Sequence, residues 1–244
     1  MDNIEIGAAV EAGIKVANCA GANAAAVAEL ALGLMLACDR RIVTQDVLLK
    51  NSLWMKGSFG DGRARGLNGK VLGIVGFGRI GRQVAVLGQA LGMRVVAWNR
   101  SPVATPPPGV EILESMDELA AHSDVVSVHA APPAEGCLLD GGFFSAMKTG
   151  AIFINVARGG VADEEALLAA LDKRGLLVGT DVYEGEPAVG NLEGFESALA
   201  KHPSVVGTMH VGAATAQAQE AVGQVLLQVI ETYSTSSEVL NEVC

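Results

Sequence analysis

Val71-Leu72-Gly73-Ile74-Val75-Gly76-Phe77-Gly78-Arg79-Ile80-Gly81 carries an apolar run of five residues straight into three glycines spaced G-x-G-x-x-G. The short, β-branched run reads as a buried strand. A helical pattern follows over residues 81–91 and a second apolar strand over 94–98. A bare glycine triplet says little. Strand, glycine turn, helix and strand in that order make one βαβ unit, and in that setting the triplet points to a dinucleotide. Gly76 permits the tight turn, Gly78 lets the backbone approach a pyrophosphate, and Gly81 lets the helix pack closely on the strand. Arg79 and Ile80 open a helix whose first N–H groups lack partners within it and favour an anion.

The alternation continues downstream. Strand patterns fall at 125–129, 151–156, 177–181 and 205–209, with helical patterns at 116–121, 164–173 and 214–233. Six strands with crossover helices define an α/β fold, a doubly wound parallel sheet. Gly175 lies just past Lys173 and Arg174, where a helix C-terminus takes a glycine. Upstream, residues 8–12 read as part of a helix and 14–17 as a single strand, and Gly21-Ala22-Asn23 opens a long helix to about Arg41. Residues 40–68 read as a polar, irregular connection. Pro106-Pro107-Pro108 reads as a stiff surface loop.

Composition sets the outer bounds. With 244 residues, 50% hydrophobic and 18% charged, the chain has core enough for one large α/β domain or two small ones. A net charge of -10 repels phosphate polymers and anionic surfaces, so neither nucleic acid nor a membrane is expected as partner. Mean hydropathy is +0.36, but the most apolar stretch, residues 24–38, contains Glu29 and is too short for a hydrocarbon layer of ~30 Å. It reads as a buried helix. Met1-Asp2-Asn3-Ile4-Glu5 lacks the basic-then-apolar pattern of a secretory signal, which points to the cytoplasm. Cys19, Cys38, Cys137 and Cys244 are scattered without CxxC spacing or a histidine cluster, so free thiols and no metal site are expected.

Ligands of open parallel sheets lie beyond the carboxyl ends of the strands. Asn99, His129, Arg158, Asp181 and His210 stand at such ends. The second strand runs into Trp98-Asn99-Arg100-Ser101, without the acid that holds the ribose 2′-OH of NAD. Two readings stand. Either Arg100 and Ser101 receive a 2′-phosphate, or Arg100 is solvated and Asn99 bonds the ribose; the cofactor is NAD or NADP, with a modest preference for NADP. Arg158, between Ala157 and Gly159-Gly160, can fork onto a carboxylate held beside the cofactor. His210 follows an apolar strand and precedes Gly212-Ala213-Ala214, which suits a ligand-facing side chain. Glu186 sits in a loop of ordinary composition, and spacing alone does not pair it with His210; if the two meet, they suit proton exchange with a carbinol. His122 and His202 occupy polar contexts and read as surface residues.

Together these segments resemble the D-isomer-specific 2-hydroxyacid dehydrogenase family. The likeness rests on Asp2-Asn3-Ile4-Glu5, Gly21-Ala22-Asn23-Ala24 with Val27-Ala28-Glu29-Leu30, the stretch from Gly69-Lys70 through Gly81, Asn155-Val156-Ala157-Arg158-Gly159-Gly160, and Asp181-Val182-Tyr183-Glu184-Gly185-Glu186-Pro187. Gly212-Ala213-Ala214-Thr215 is most similar to phosphoglycerate dehydrogenases, and Trp98-Asn99-Arg100-Ser101 to NADP-using glyoxylate and hydroxypyruvate reductases. The resemblance implies a Rossmann-type NAD(P)-binding domain over 21–213, a remnant of a flavodoxin-like substrate domain over 1–20, and a C-terminal helix over 214–244. It implies that Arg158 binds the carboxylate and carbonyl oxygen of a small 2-hydroxy or 2-oxo acid, that His210 exchanges the hydroxyl proton, and that Glu186 polarises that histidine. Asp181 would hold the nicotinamide carboxamide. Gly76, Gly78, Arg79 and Ile80 would surround the pyrophosphate, with Gly81, Asn99, Arg100, Ser101, His129, Ala157 and Gly212 completing the cofactor site. A homodimer through the helix at 22–41 is expected. Met209 replaces the family's proline before the histidine, and Cys19-Ala20 replaces the one before Gly21. Most of the family's substrate domain has no counterpart in the sequence, so slow turnover is expected. The competing reading is a non-catalytic dinucleotide-binding module, corepressor-like or redox-sensing.

Overall fold

The structure, a computed structural model, describes residues 4–60, 64–187 and 193–244. Asp2 and Asn3 of the N-terminal motif lie outside the described residues. Seven parallel strands, β1 (Val71–Val75), β2 (Arg94–Trp98), β3 (Val110–Ile112), β4 (Val125–Val128), β5 (Ile152–Asn155), β6 (Leu177–Thr180) and β7 (Val205–Gly207), lie in the order β3-β2-β1-β4-β5-β6-β7. The chain runs from β1 out to β2 and β3, then returns to place β4 on the other side of β1. That reversal opens a crevice at the carboxyl ends of β1 and β4. The doubly wound sheet is the one the sequence predicts.

The helices are α1 (Ile6–Glu11), α2 (Ala24–Arg40), α3 (Ile42–Lys50), α4 (Lys56–Phe59), α5 (Arg79–Ala90), α6 (Met116–His122), α7 (Gly141–Ala146), α8 (Glu164–Arg174), α9 (Ala198–Lys201) and α10 (Ala216–Ser236). Alternate strand residues face opposite layers. Leu72, Ile74, Val95, Ala97, Ile152 and Ile154 pack with α2 and α5, whereas Val75, Val96, Val126, Val128 and Phe153 pack with α6, α7 and α8. Coverage on both faces explains why the strands read as continuous apolar runs. α8 follows the capping rules closely. The Asp163 carboxylate accepts from the Ala166 N–H, Glu164 and Glu165 sit at the positive end, Lys173 and Arg174 at the negative end, and Gly175 closes the helix at φ 62°.

Three local expectations need correction, and one helix has no counterpart in the sequence reading. β3 is a seventh strand; three residues behind Pro106-Pro107-Pro108 are too few to show a period. Residues 14–17 form no strand, because their one ladder contact is an antiparallel bridge from Ala17 to Glu242. Residues 40–68 hold α3 and α4 rather than an irregular connection; neither helix contains a buried residue, so neither has the one-sided apolar pattern that marks a packed helix. α7 opens on Gly141-Gly142, poor helix formers, and is held by Asp140, whose carboxylate accepts from the Phe143 N–H.

Val27–Gly212 forms one compact unit. The described residues before Val27 form a second with Ala213–Cys244, in which backbone bonds join Val16 to Val243 and Cys244, and Asn18 to Asn241. Among the described residues no helix is long and apolar enough to cross a membrane.

Candidate active site

The expected bounds of β1 and β2 match the ladders and the later strand patterns overran them by one or two residues, so the polar residues stand just beyond the sheet. After β1, Gly76 has φ 93°, and a Cβ there would lie 2.6 Å from the Ala130 nitrogen at the end of β4. A side chain would force apart the two segments that border the crevice. A Cβ on Gly81 would lie 2.2 Å from the Gly76 carbonyl oxygen, so this glycine is required by packing of α5. Gly78 is different: φ is an ordinary -78°, and a Cβ would meet nothing within 4 Å. Gly78 is also the N-cap of α5 and makes no side-chain capping bond, so the first amides of α5 are left for another acceptor.

An open cleft of about 270 Å³ is lined by the turn (Gly76, Gly78), by Trp98, Asn99, Arg100 and Ser101 after β2, and by His129, Ala130 and Ala131 after β4. Asn99 accepts from the Phe77 N–H at 2.9 Å and donates to the Ser101 carbonyl at 2.8 Å. Arg100 is exposed and reaches the Ala131 carbonyl only at 3.5 Å. Burial pushes the His129 imidazole down to a pKa of about 3, so it is neutral at any working pH. Its Nε2 pairs with Ser127 Oγ at 2.9 Å, while Nδ1 is shut off from solvent and has no partner among the described residues. The cleft therefore combines open space above a glycine, uncapped helix amides, an arginine and an orphaned polar atom, which is chemistry that fits a phosphate-bearing dinucleotide.

The other strand ends converge on His210. Its backbone has φ 52°, a left-handed conformation uncommon for a side-chain-bearing residue. Asp181, 2% exposed, holds the loop there: one carboxylate oxygen accepts from Thr208 Oγ1 (2.5 Å) and the Val211 N–H (2.9 Å), and the other from the Gly212 N–H (2.8 Å). The His210 N–H donates to the Asp181 carbonyl at 2.7 Å. Glu186 meets His210 after all, with Oε1 2.5 Å from Nδ1, and the Tyr183 N–H fixes the other carboxylate oxygen at 2.9 Å. With Nδ1 so engaged, Nε2 is the nitrogen left for proton exchange.

Arg158 follows β5 in a turn closed by Asn155, whose amide oxygen accepts from the Ala157 N–H and whose nitrogen donates to the Arg158 carbonyl. The exposed guanidinium donates to the Ala157 carbonyl at 2.7 Å. A Cβ on Gly159 would lie 2.2 Å from the Tyr183 carbonyl oxygen, so the Arg158 turn abuts the loop that carries Glu186.

Sequence reasoning missed Asn155, Thr208 and Tyr183. Asn155 carried a usable signal, a polar residue ending an apolar strand; Thr208 and the Tyr183 backbone carried none. His122 lies on the surface as expected. His202 is half-buried at the surface: its side chain is 18% exposed, with the exposed Asp172 at 3.4 Å and the Ser204 N–H donating to its Nδ1.

Residues 32–212 match the family model for the D-isomer specific 2-hydroxyacid dehydrogenase NAD binding domain, and the chain belongs to that family. It is 40% identical over 233 residues to a hydroxypyruvate reductase of Thermotoga maritima, covering 94% of this chain and 73% of that protein. It is 38% identical over 248 residues to a D-3-phosphoglycerate dehydrogenase of Archaeoglobus fulgidus, covering all of this chain but 45% of that protein. Among solved structures, an NADPH-dependent glyoxylate/hydroxypyruvate reductase from Sinorhizobium meliloti, in complex with NADP and malonate, superposes with a TM-score of 0.84 at 26% identity, covering 100% of this chain and 75% of that one.

Proposed function

We propose that this chain carries the dinucleotide-binding and proton-transfer machinery of an oxidoreductase that interconverts a D-2-hydroxy acid and a 2-oxo acid with NAD(P). The observation that carries the reading is the His210–Glu186 pair at 2.5 Å, beside the Arg158 turn and on the same sheet edge as the glycine turn. Arg158 forks onto the substrate carboxylate and holds C2 beside the histidine. In the reducing direction His210 Nε2 gives its proton to the carbonyl oxygen; in the oxidising direction it takes the hydroxyl proton, and Glu186 stabilises the imidazolium that results. Bound NAD(P) supplies hydride donation and acceptance, chemistry that no side chain has. Gly76, Gly78, Arg79, Ile80 and Gly81 hold its pyrophosphate, with Asn99, Arg100, Ser101 and His129 on the ribose side and Ala157, Asp181 and Gly212 on the nicotinamide side.

We assign the cofactor as NADP in preference to NAD. Arg100 and Ser101 line the cleft, and no carboxylate stands among its lining residues to repel a 2′-phosphate. A charge-assisted hydrogen bond contributes about 1.5–3 kcal/mol, so Arg100→Ala is expected to weaken NADPH binding at least about tenfold and leave NADH binding unchanged. Fluorescence titration with both dinucleotides checks this. A wild-type chain that binds NADH more tightly overturns the assignment.

We also propose a homodimer, on a different surface from the one the sequence suggests. The apolar side of α2 is taken up by its own unit, where Ala31, Leu34, Met35 and Cys38 are buried. The segment α3–α4 instead leaves Val47 about half exposed, and Leu49, Leu53 and Met55, about half exposed, with Trp54, 78% exposed, line a cleft of about 320 Å³. A second copy is the partner that fits so large an apolar patch. Light scattering at micromolar concentration should give twice the chain mass, and Leu49→Glu with Trp54→Glu should give monomer. A monomeric wild type rules the interface out.

A further inference from the structure

We propose that Asn99 is a positioning residue for cofactor selectivity: it ties the glycine turn to the β2-end loop and so fixes Arg100 where a 2′-phosphate docks. This rests on the NADP reading above.

The amide of Asn99 is oriented without ambiguity, because its oxygen faces an N–H donor and its nitrogen faces a carbonyl. The oxygen accepts from Phe77, the middle residue of the glycine turn. That bond extends the β1–β2 ladder one step beyond its last backbone link, where the Gly76 N–H donates to the Trp98 carbonyl at 2.9 Å. The nitrogen donates forward to Ser101, closing a small ring around Arg100. Among the described residues the exposed guanidinium has one hydrogen bond, at 3.5 Å to the Ala131 carbonyl, so the placement of Arg100 depends on this ring. A ribose contact through Asn99, the alternative that the sequence leaves open, would require the amide to break or share one of these bonds.

Aspartate at this position keeps the acceptor for Phe77 but has no N–H for Ser101, and turns a negative oxygen toward a carbonyl. The exchange of one NH₂ for O⁻ therefore acts on NADP twice, through charge on the phosphate and through release of the loop that carries the arginine. Alanine separates the two effects, since it releases the loop without adding charge.

The test is a double-mutant cycle in equilibrium binding, read by titration with NADPH and NADH and needing no turnover. Asn99→Ala is expected to weaken NADPH about tenfold, no more than the loss expected from removing the Arg100 guanidinium itself. NADH should change less than about twofold, and the same substitution made in Arg100→Ala should cost NADPH nothing further. An equal loss for NADH, no loss at all, or a full loss that persists in Arg100→Ala overturns the clamp while leaving the NADP reading in place. A silent Arg100→Ala removes the NADP reading and the clamp with it. Should the alanine variant fail to fold, Asn99→Asp, which retains the Phe77 bond, is expected to invert the preference to NADH; retention of NADPH preference there overturns the proposal.

Discussion

Gly78→Val loses dinucleotide binding by at least about a hundredfold, or about 2.7 kcal/mol, while the protein still folds. The two halves of this result follow from one observation, that a Cβ at position 78 meets no protein atom within 4 Å and the backbone is at an ordinary φ of -78°. The folded protein has room for a Cβ there, and the cost expected for the fold is a poorer N-cap for α5, about 1 kcal/mol, or roughly 2–4 °C of melting temperature for a chain of this size. The ligand does not have that room, because the added carbons fill the space where the pyrophosphate meets the helix amides. Gly81→Val gives the opposite pattern, since a Cβ 2.2 Å from the Gly76 carbonyl unseats α5 from the sheet. Calorimetric titration paired with a thermal melt distinguishes them. An unchanged affinity in a folded Gly78→Val protein would end the assignment of this cleft.

His210→Gln should lower kcat for reduction of hydroxypyruvate or glyoxylate about 10²–10⁴-fold, the range that general acid catalysis supplies, with NADPH affinity unaltered. The dinucleotide cleft is lined by residues after β1, β2 and β4, and His210 follows β7. Glu186→Gln should cost less, because a neutral amide still holds the ring through Nδ1 but does not stabilise the imidazolium. Comparison with the wild-type rate in the same assay decides the matter. A His210→Gln protein as fast as wild type would assign proton transfer to another group.

The sheet was legible wherever neighbours in sequence are neighbours in space. The run from Val71 to Trp98 contains strand, turn, helix and strand that pack on one another, and α8 carries its own caps. The location of the site was legible for a topological reason, since polar residues directly after parallel strands must share one edge. What stayed hidden was pairing across loops. Glu186 and His210 are 24 positions apart with α9 between them, and no periodicity connects the two. Asn99 shows the same limit at closer range: its identity pointed to the ribose, but the partners that occupy its amide, Phe77 and Ser101, become visible only in three dimensions. α3 and α4 were missed because helix detection relies on one buried face, and these helices bury none within their own chain.

The left-handed backbone at His210 places activity and stability in opposition. An L-residue with a Cβ holds this conformation at a cost of about 1–2 kcal/mol, and the Asp181 anchor maintains it. Glycine carries no such cost, so His210→Gly would discard the proton donor and yet relax the fold. On the proposed function, His210→Gly should therefore remove proton transfer while sparing the fold the local cost of the left-handed turn, so that activity and backbone ease pull this one position in opposite directions.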